Sequence, residues 1–411
     1  MKKLLTIITI LIFGLVLSAC GAKYKIRETK SFKYLNKISL PSNEKVNKRI
    51  DQKDVDTFNT FAFKSFKEIY EEGDNAFYSP ASLYMALSML AEGANGESLN
   101  QINNLLGSSD SRAEINKSLF ENNYYENNEG EAKLANSYWI NLGLDVKEEY
   151  INKLNDKYYS TGFASNFDDE TKANMAKWIN ANTNGFLNVK KEEFDDIKDM
   201  VLCLINTIYF DNKWATKFDT KDTSTRTFYG KTEERASFMY HDVMHACYID
   251  DEVTIAFDKF HNGNSIQYIM ANENYTIDNA FSALDRYLNN KIELKSASIN
   301  LYVPKFKYYT KMNLMEPLMK LGVSDIFDGY KADFSNISDT PLYVSKTIQN
   351  TGIEFNESGV KAAAFSFVGL NKSAAEPLEK VTIELNRPFI YLIRDSAGCI
   401  IFMGVLNQVN K

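Results

Sequence analysis

The sequence predicts an α+β fold with helices first and a large sheet after. Two observations carry this. Between residues 56 and 186 the apolar positions recur at helical spacing, whereas from residue 201 onward they occur in β-branched runs or alternate. The chain of 411 residues also holds only 7 Pro and 19 Gly, so long regular elements should dominate. With 27 Phe and 24 Tyr there is ample material for a core, and a disordered or collagen-like chain is excluded.

The first residues stand apart from the fold. Lys2 and Lys3 precede the apolar run Leu4 to Leu17, and Leu-Ser-Ala-Cys follows, ending at Cys20. The run is shorter than the ~20 residues a membrane-spanning helix needs. A charged start, an apolar middle and a small-residue end read as a secretory signal over 1–19. Residues 21–50 then carry nine Lys/Arg against two Glu, while 51–411 carries a net −16 within a whole-chain charge of −7. A basic tether over 20–50 thus precedes an acidic body, read as one domain over 51–411. A general nucleic-acid binder is not expected from that charge.

Asp56 to Tyr70 sets Phe58, Phe61, Ala62, Phe66 and Ile69 on one face. Ser79-Pro80 opens a second helix, which continues through Leu83, Leu87 and Leu90. Helices are also predicted over 148–158 and 172–186. Val201 to Phe210 (VLCLINTIYF) reads as a buried central strand, and 236–275, 297–309, 341–355 and 381–409 read as strands. His241 and His245 fall within such a strand. There, four residues span about 13 Å, too far to share an ion, so no metal site is predicted. Three His give a Ser-His-Asp hydrolase little support. Cys203, Cys247 and Cys399 are an odd set at wide spacing, read as free thiols, with Cys203 and Cys399 buried.

Glu357 to Pro377 (ESGVKAAAFSFVGLNKSAAEP) is unusual for a surface loop. No Pro falls between Gly359 and Glu376, so nothing forbids a central-strand position. It also alternates: Val360, Ala362, Ala364 and Ser366 form a small, uncharged face. Lys361, Ala363, Phe365 and Phe367 form the other. A segment that can be either loop or strand, flanked by strong strands, suggests a conformational switch.

Ordered along the chain are Phe77-Tyr78-Ser79-Pro80-Ala81-Ser82, Leu134-Ala135-Asn136, Trp178-Ile179-Asn180, Leu204-Ile205-Asn206-Thr207 with Trp214, and Val303-Pro304-Lys305-Phe306. Glu357-Ser358-Gly359-Val360-Lys361-Ala362-Ala363-Ala364, Asn386-Arg387-Pro388-Phe389 and Phe402-Met403-Gly404 complete the series. In content and order, over 51–411, this resembles the serpin family of protease inhibitors. The resemblance implies a serpin fold with three β-sheets and an exposed reactive-centre loop at about 357–382. It implies a suicide inhibitor of serine endopeptidases of subtilisin-, elastase- or trypsin-like type, with cysteine endopeptidases as the alternative. It needs no catalytic residue and no cofactor, and a monomer is expected. In that family the protease attacks the loop, and the cut loop enters the central sheet.

Carried over residue by residue, Glu357, Gly359, Val360, Lys361, Ala362, Ala363 and Ala364 form the hinge. Ser79, Ser82 and Asn206 belong to the shutter and Trp214 to the breach. Gln349 stands where the family usually has His, and a network with Ser82 and Asn206 is expected from it. Counting from Glu357 places the reactive bond at Ser373-Ala374, with Lys372-Ser373 as the alternative. Lys361 replaces a usual Glu and, facing outward, is expected to tolerate either sign of charge. Val360 is expected to stay solvated until the loop is cut. Leu-Ser-Ala-Cys20 resembles the lipobox of bacterial lipoproteins, which implies lipidation at Cys20 and attachment to the outer face of the cell membrane. The competing reading is a non-inhibitory lipoprotein of the same fold that binds a ligand or partner.

Overall fold

The computed structural model describes residues 26–36, 40, 42–194, 197–360 and 379–409. In chain order the elements are β1 (Phe32–Tyr34), α1 (Gln52–Ile69), β2 (Ala76–Tyr78), α2 (Pro80–Ala91), α3 (Gly96–Leu106), α4 (Ser109–Asn122), β3 (Tyr124–Asn127), β4 (Gly130–Asn141), α5 (Glu148–Tyr158), β5 (Ser160–Ser165) and α6 (Asp169–Asn182). Then come β6 (Leu202–Lys213), β7 (Ser224–Tyr229), β8 (Glu233–Ile249), β9 (Val253–Lys259), β10 (Ser265–Ala271), α7 (Ile277–Leu288), β11 (Lys295–Pro304), β12 (Phe306–Asn313), α8 (Met315–Lys320), β13 (Ile348–Phe355), β14 (Gly359–Val360), β15 (Lys380–Glu384), β16 (Phe389–Arg394) and β17 (Ile400–Leu406). The helices α1–α6 all precede β6, as predicted, but β1–β5 are interleaved with them.

Among the described residues the strands form three sheets. One runs β1-β5-β4-β6-β14, with β3 on β4. A second runs β15-β11-β8-β9-β10-β16-β17-β2, with β7 on β8. The third is the pair β12-β13. The β9, β10, β16 and β17 runs are buried nearly throughout, which explains their continuous apolar character. The α2 helix begins where Ser-Pro predicts: the Ser79 hydroxyl caps it by accepting from the Ser82 amide at 3.2 Å.

The expectation of a free tether over 20–50 is corrected for its described part. Phe32, Lys33 and Tyr34 pair with Phe163–Ser165 on β5. Phe32 is fully buried in a satellite core with Trp139, Phe163, Met175 and Trp178, beneath α6. Three residues are too few to show a period-2 pattern, so this strand was invisible in the sequence. Further on, the Lys45 ammonium donates to the Asn122 carbonyl at 2.8 Å. Of the predicted strand 341–355, only 348–355 is one. Cys247 and Cys399 are buried free thiols, whereas Cys203 is half-buried, its thiol pushed up to about 12 by burial.

Candidate functional site: a strand-sized slot and its hinge

The β6 and β13 strands lie on either side of a gap. β6 pairs with β4 along its length, and β13 with β12. On the facing sides only β14 intervenes: Gly359 lies opposite Lys213 and Val360 opposite Asn212, and Gly359 is bridged to Asn356. Below Val360 the facing edges, Leu202 to Asp211 and Ile348 to Phe355, carry no strand partner among the described residues. Unpaired N–H and C=O groups on two edges form a template for one more strand. Each ladder bond it made would be worth about 1 kcal/mol net.

Local chemistry fixes β14 at the mouth. A Cβ on Gly359 would collide with the Asn212 carbonyl oxygen and lie 2.8 Å from the Lys213 Cα, so only glycine fits. Val360 is 5% exposed and belongs to the main core, which corrects the expectation that it is solvated in the uncut chain. The Asn212 side chain is itself held, since the Tyr125 hydroxyl donates to its Oδ1 at 2.8 Å and Asn262 Nδ2 donates to the same oxygen.

Just before β14, Glu357 is latched. Its carboxylate accepts from Lys305 Nζ at 2.8 and 2.9 Å and from the Thr223 hydroxyl at 2.9 Å. Burial alone would raise this carboxyl. The hydrogen bonds from Lys305, from its own backbone and from Thr223, with the Lys305 charge, outweigh burial and hold it below its ordinary value. Trp214, fully buried, donates its indole N–H to the Asn356 carbonyl at 2.9 Å and stacks on Phe260 at 4.9 Å. The turn leading into the hinge is therefore pinned from both sides.

At the slot's far end lie the shutter residues. The Gln349 amide bonds the Ser79 backbone twice, accepting from its N–H at 2.8 Å and donating to its carbonyl at 3.0 Å. The expected network with Ser82 and Asn206 is corrected accordingly: both ends of the Gln349 amide go to the backbone N–H and C=O of Ser79. Asn206 instead donates to Asn136 Oδ1 at 2.6 Å, and Asn136 donates to the Tyr158 carbonyl at 2.7 Å. The Asn206 Oδ1 is buried without a hydrogen-bond partner among the described residues. The Ser79 hydroxyl donates to the Ile401 carbonyl at 3.0 Å, tying the helix start to β17.

Of the residues singled out from sequence, Ser79, Ser82, Asn206, Gln349, Trp214, Glu357, Gly359 and Val360 are thus grouped around one slot. Cys20, Lys361, Ala362, Ala363, Ala364, Lys372, Ser373 and Ala374 lie outside the described residues. Sequence reasoning missed Lys305, Thr223 and Asn212. Lys305 sits in the quoted Val-Pro-Lys-Phe motif, but nothing local ties it to a carboxylate 52 positions away. His241 and His245 lie on β8 as strand residues, with His241 Nε2 3.1 Å from the Asp258 carboxylate.

Comparison with known proteins agrees with this architecture. The family model described as Serpin (serine protease inhibitor) matches residues 56–409. A serpin-like protein of Methanosarcina acetivorans is 30% identical over 367 residues, covering 84% of this chain and 85% of the relative. Among solved structures, native tengpin, a thermophilic serpin, superposes with a TM-score of 0.78 at 27% identity, over 92% of this chain and all of that one. Thyroxine-binding globulin in complex with thyroxine gives 0.73 at 22% identity, over 87% of this chain and all of that one, a likeness of fold alone.

Proposed function

We propose that this chain, which belongs to the serpin family, is a suicide inhibitor of serine endopeptidases that works by inserting its cut loop into the slot between β6 and β13. The observation that carries this reading is β14: the hinge has already entered at the mouth, and the edges below it stand ready for more strand.

The chemistry belongs to the protease. Its serine oxygen attacks the carbonyl carbon of Ser373, the C–N bond to Ala374 breaks, and Ala374 leaves as a new amine carrying the proton. The Ser373 acyl group stays on the enzyme. The freed segment, small and uncharged on its inward face, then adds to both edges and drags the acyl-enzyme along before water can hydrolyse it. The chain supplies no catalytic group; it supplies a segment, a slot and the free energy difference between them. Lys372-Ser373 is the alternative bond. We further propose that Cys20 is the lipidated mature N-terminus and that a monomer acts at the outer face of the membrane. Acyl chains together with a basic stem give the two signals that stable attachment needs.

The test is one gel. The protein is mixed with subtilisin-, elastase- and trypsin-like proteases in turn, and an SDS-stable complex is expected with at least one. Cleavage without a complex in every case would overturn inhibition and favour ligand binding, which the same fold serves in thyroxine-binding globulin. For the anchor, Cys20→Ala should move the protein out of the membrane fraction; unchanged fractionation would refute it.

A further inference from the structure

A cavity lies away from the slot, where the end of α2 meets α3, α4 and α5. The α3 helix ends at Gly107, whose φ of 94° lets the chain turn almost directly into α4. The first turns of α4 therefore lie against the end of α3, and Arg112 is left only 3% exposed. Its Nη1 donates to Asn103 Oδ1 and to the Gly107 carbonyl, the latter at 3.0 Å. Neither Nε nor Nη2 has an acceptor among the described residues, and no carboxylate there pairs with this guanidinium. The neighbouring carboxylates have other partners. Glu92 accepts from Lys157 Nζ at 3.2 Å and from the Tyr158 hydroxyl at 3.1 Å, and Asp54 accepts from the Ser111 hydroxyl. The carbonyl end of α3 offsets part of the Arg112 charge. A buried cation without an anion nevertheless stays costly.

We infer that this cavity binds a small organic monocarboxylate, with the carboxylate against Arg112 and a short apolar tail along Ala91, Ala94 and Leu99. All four residues line it, and its volume is about 170 Å³. Cavities of roughly 150 Å³ hold a benzene-sized molecule, so about six heavy atoms fit here. The polar lining is rich in donors. Asn103 gives its Oδ1 to Arg112 and keeps its amide N–H groups for a ligand. Lys153 adds an ammonium, whose own partner Glu149, at 2.9 Å, is largely in solvent. Asn336 spends its Nδ2 on the Ala94 carbonyl at 2.9 Å. A planar guanidinium with N–H donors to spare suits a carboxylate better than a point charge would. Glu92, also in the lining, discriminates against anions of higher charge. The site is remote from the hinge and does not depend on insertion.

The test is calorimetric titration of the full chain with butyrate, with 1-butanol and inorganic phosphate as comparison probes. Butyrate should bind with a millimolar dissociation constant, and both comparison probes should bind at least roughly tenfold more weakly. R112M should weaken butyrate by a similar factor. Because a core arginine is a demanding site to change, L99W provides a second variant. Leu99 is half-buried, and the larger ring fills the cavity without touching the guanidinium. L99W should keep the parent's melting temperature and lose butyrate binding. No binding of butyrate to the parent, or equal binding by the parent and folded L99W, would overturn the site. Butanol binding as well as butyrate would overturn the anion, and phosphate binding as well would overturn the apolar tail.

Discussion

Replacing Val360 by Arg separates being cut from being an inhibitor. In the uncut protein the guanidinium has two options. Staying in place buries a charge with no partner, at a cost of several kcal/mol. Leaving means that β14, a two-residue strand, withdraws from the mouth. Withdrawal forfeits about 2 kcal/mol of valine burial and roughly 1 kcal/mol for each of about two ladder bonds. It regains about 1.5 kcal/mol of backbone entropy for each of the two residues. The net is about 1 kcal/mol, so the uncut variant should stay folded and melt within about 2 °C of the parent. After cleavage the second option is gone, because a strand that enters the slot must pass position 360 through the core. The several kcal/mol then fall on insertion alone. The assay is stoichiometry of inhibition against whichever protease forms the SDS-stable complex, with loop cleavage followed in parallel. Val360→Arg should be cut at the parent's rate and release active protease. Inhibition at the parent's stoichiometry would refute the burial argument.

Three further outcomes follow from the geometry. Phe32→Ala should destabilise the uncut protein by about 3–5 kcal/mol, because the ring is fully buried against Trp139 and Phe163; an unchanged melting temperature would detach β1 from the sheet. Gln349→Leu should cost about 1–3 kcal/mol in urea unfolding, since it strips the buried Ser79 N–H of its partner while the Ser79 carbonyl keeps the Leu83 amide; an unchanged stability would mean that another group takes over. The third outcome concerns pH. The folded Glu357 carboxyl lies below its ordinary value of 4.5, so its stabilisation is full above pH 4.5 and is lost as pH falls through the lowered folded value. The parent should therefore lose more stability on that acid limb than Glu357→Gln does; parallel pH profiles would refute the latch.

The residues that define the slot were legible because they announce themselves locally. Gly359 and Val360 stand out against their loop by composition, and Ser79-Pro80 by capping chemistry. The β6 run of ten residues reads as a central strand without help. What stayed hidden was partnership at a distance. That Glu357 meets Lys305 and that Gln349 grips Ser79 are facts of register and crossover. Register depends on how strands from positions 202, 306 and 348 are threaded, and no single segment encodes it. Val360 shows the same limit from the other side. Its small apolar nature fits insertion, but the sequence holds nothing that says the first rung is already occupied.

The strand β1 has a consequence for how these molecules behave beside one another. Without it, β5 would end the sheet with a bare row of N–H and C=O groups, the kind of edge on which a second chain can build. Phe32, Lys33 and Tyr34 cover that row, and they leave Lys33 exposed, a charge on the outermost strand that discourages further addition. On the insertion proposed above, a protein that keeps one template open for its own loop has this other one closed. Where many copies share a crowded surface, the closed edge lets them sit close together as separate molecules.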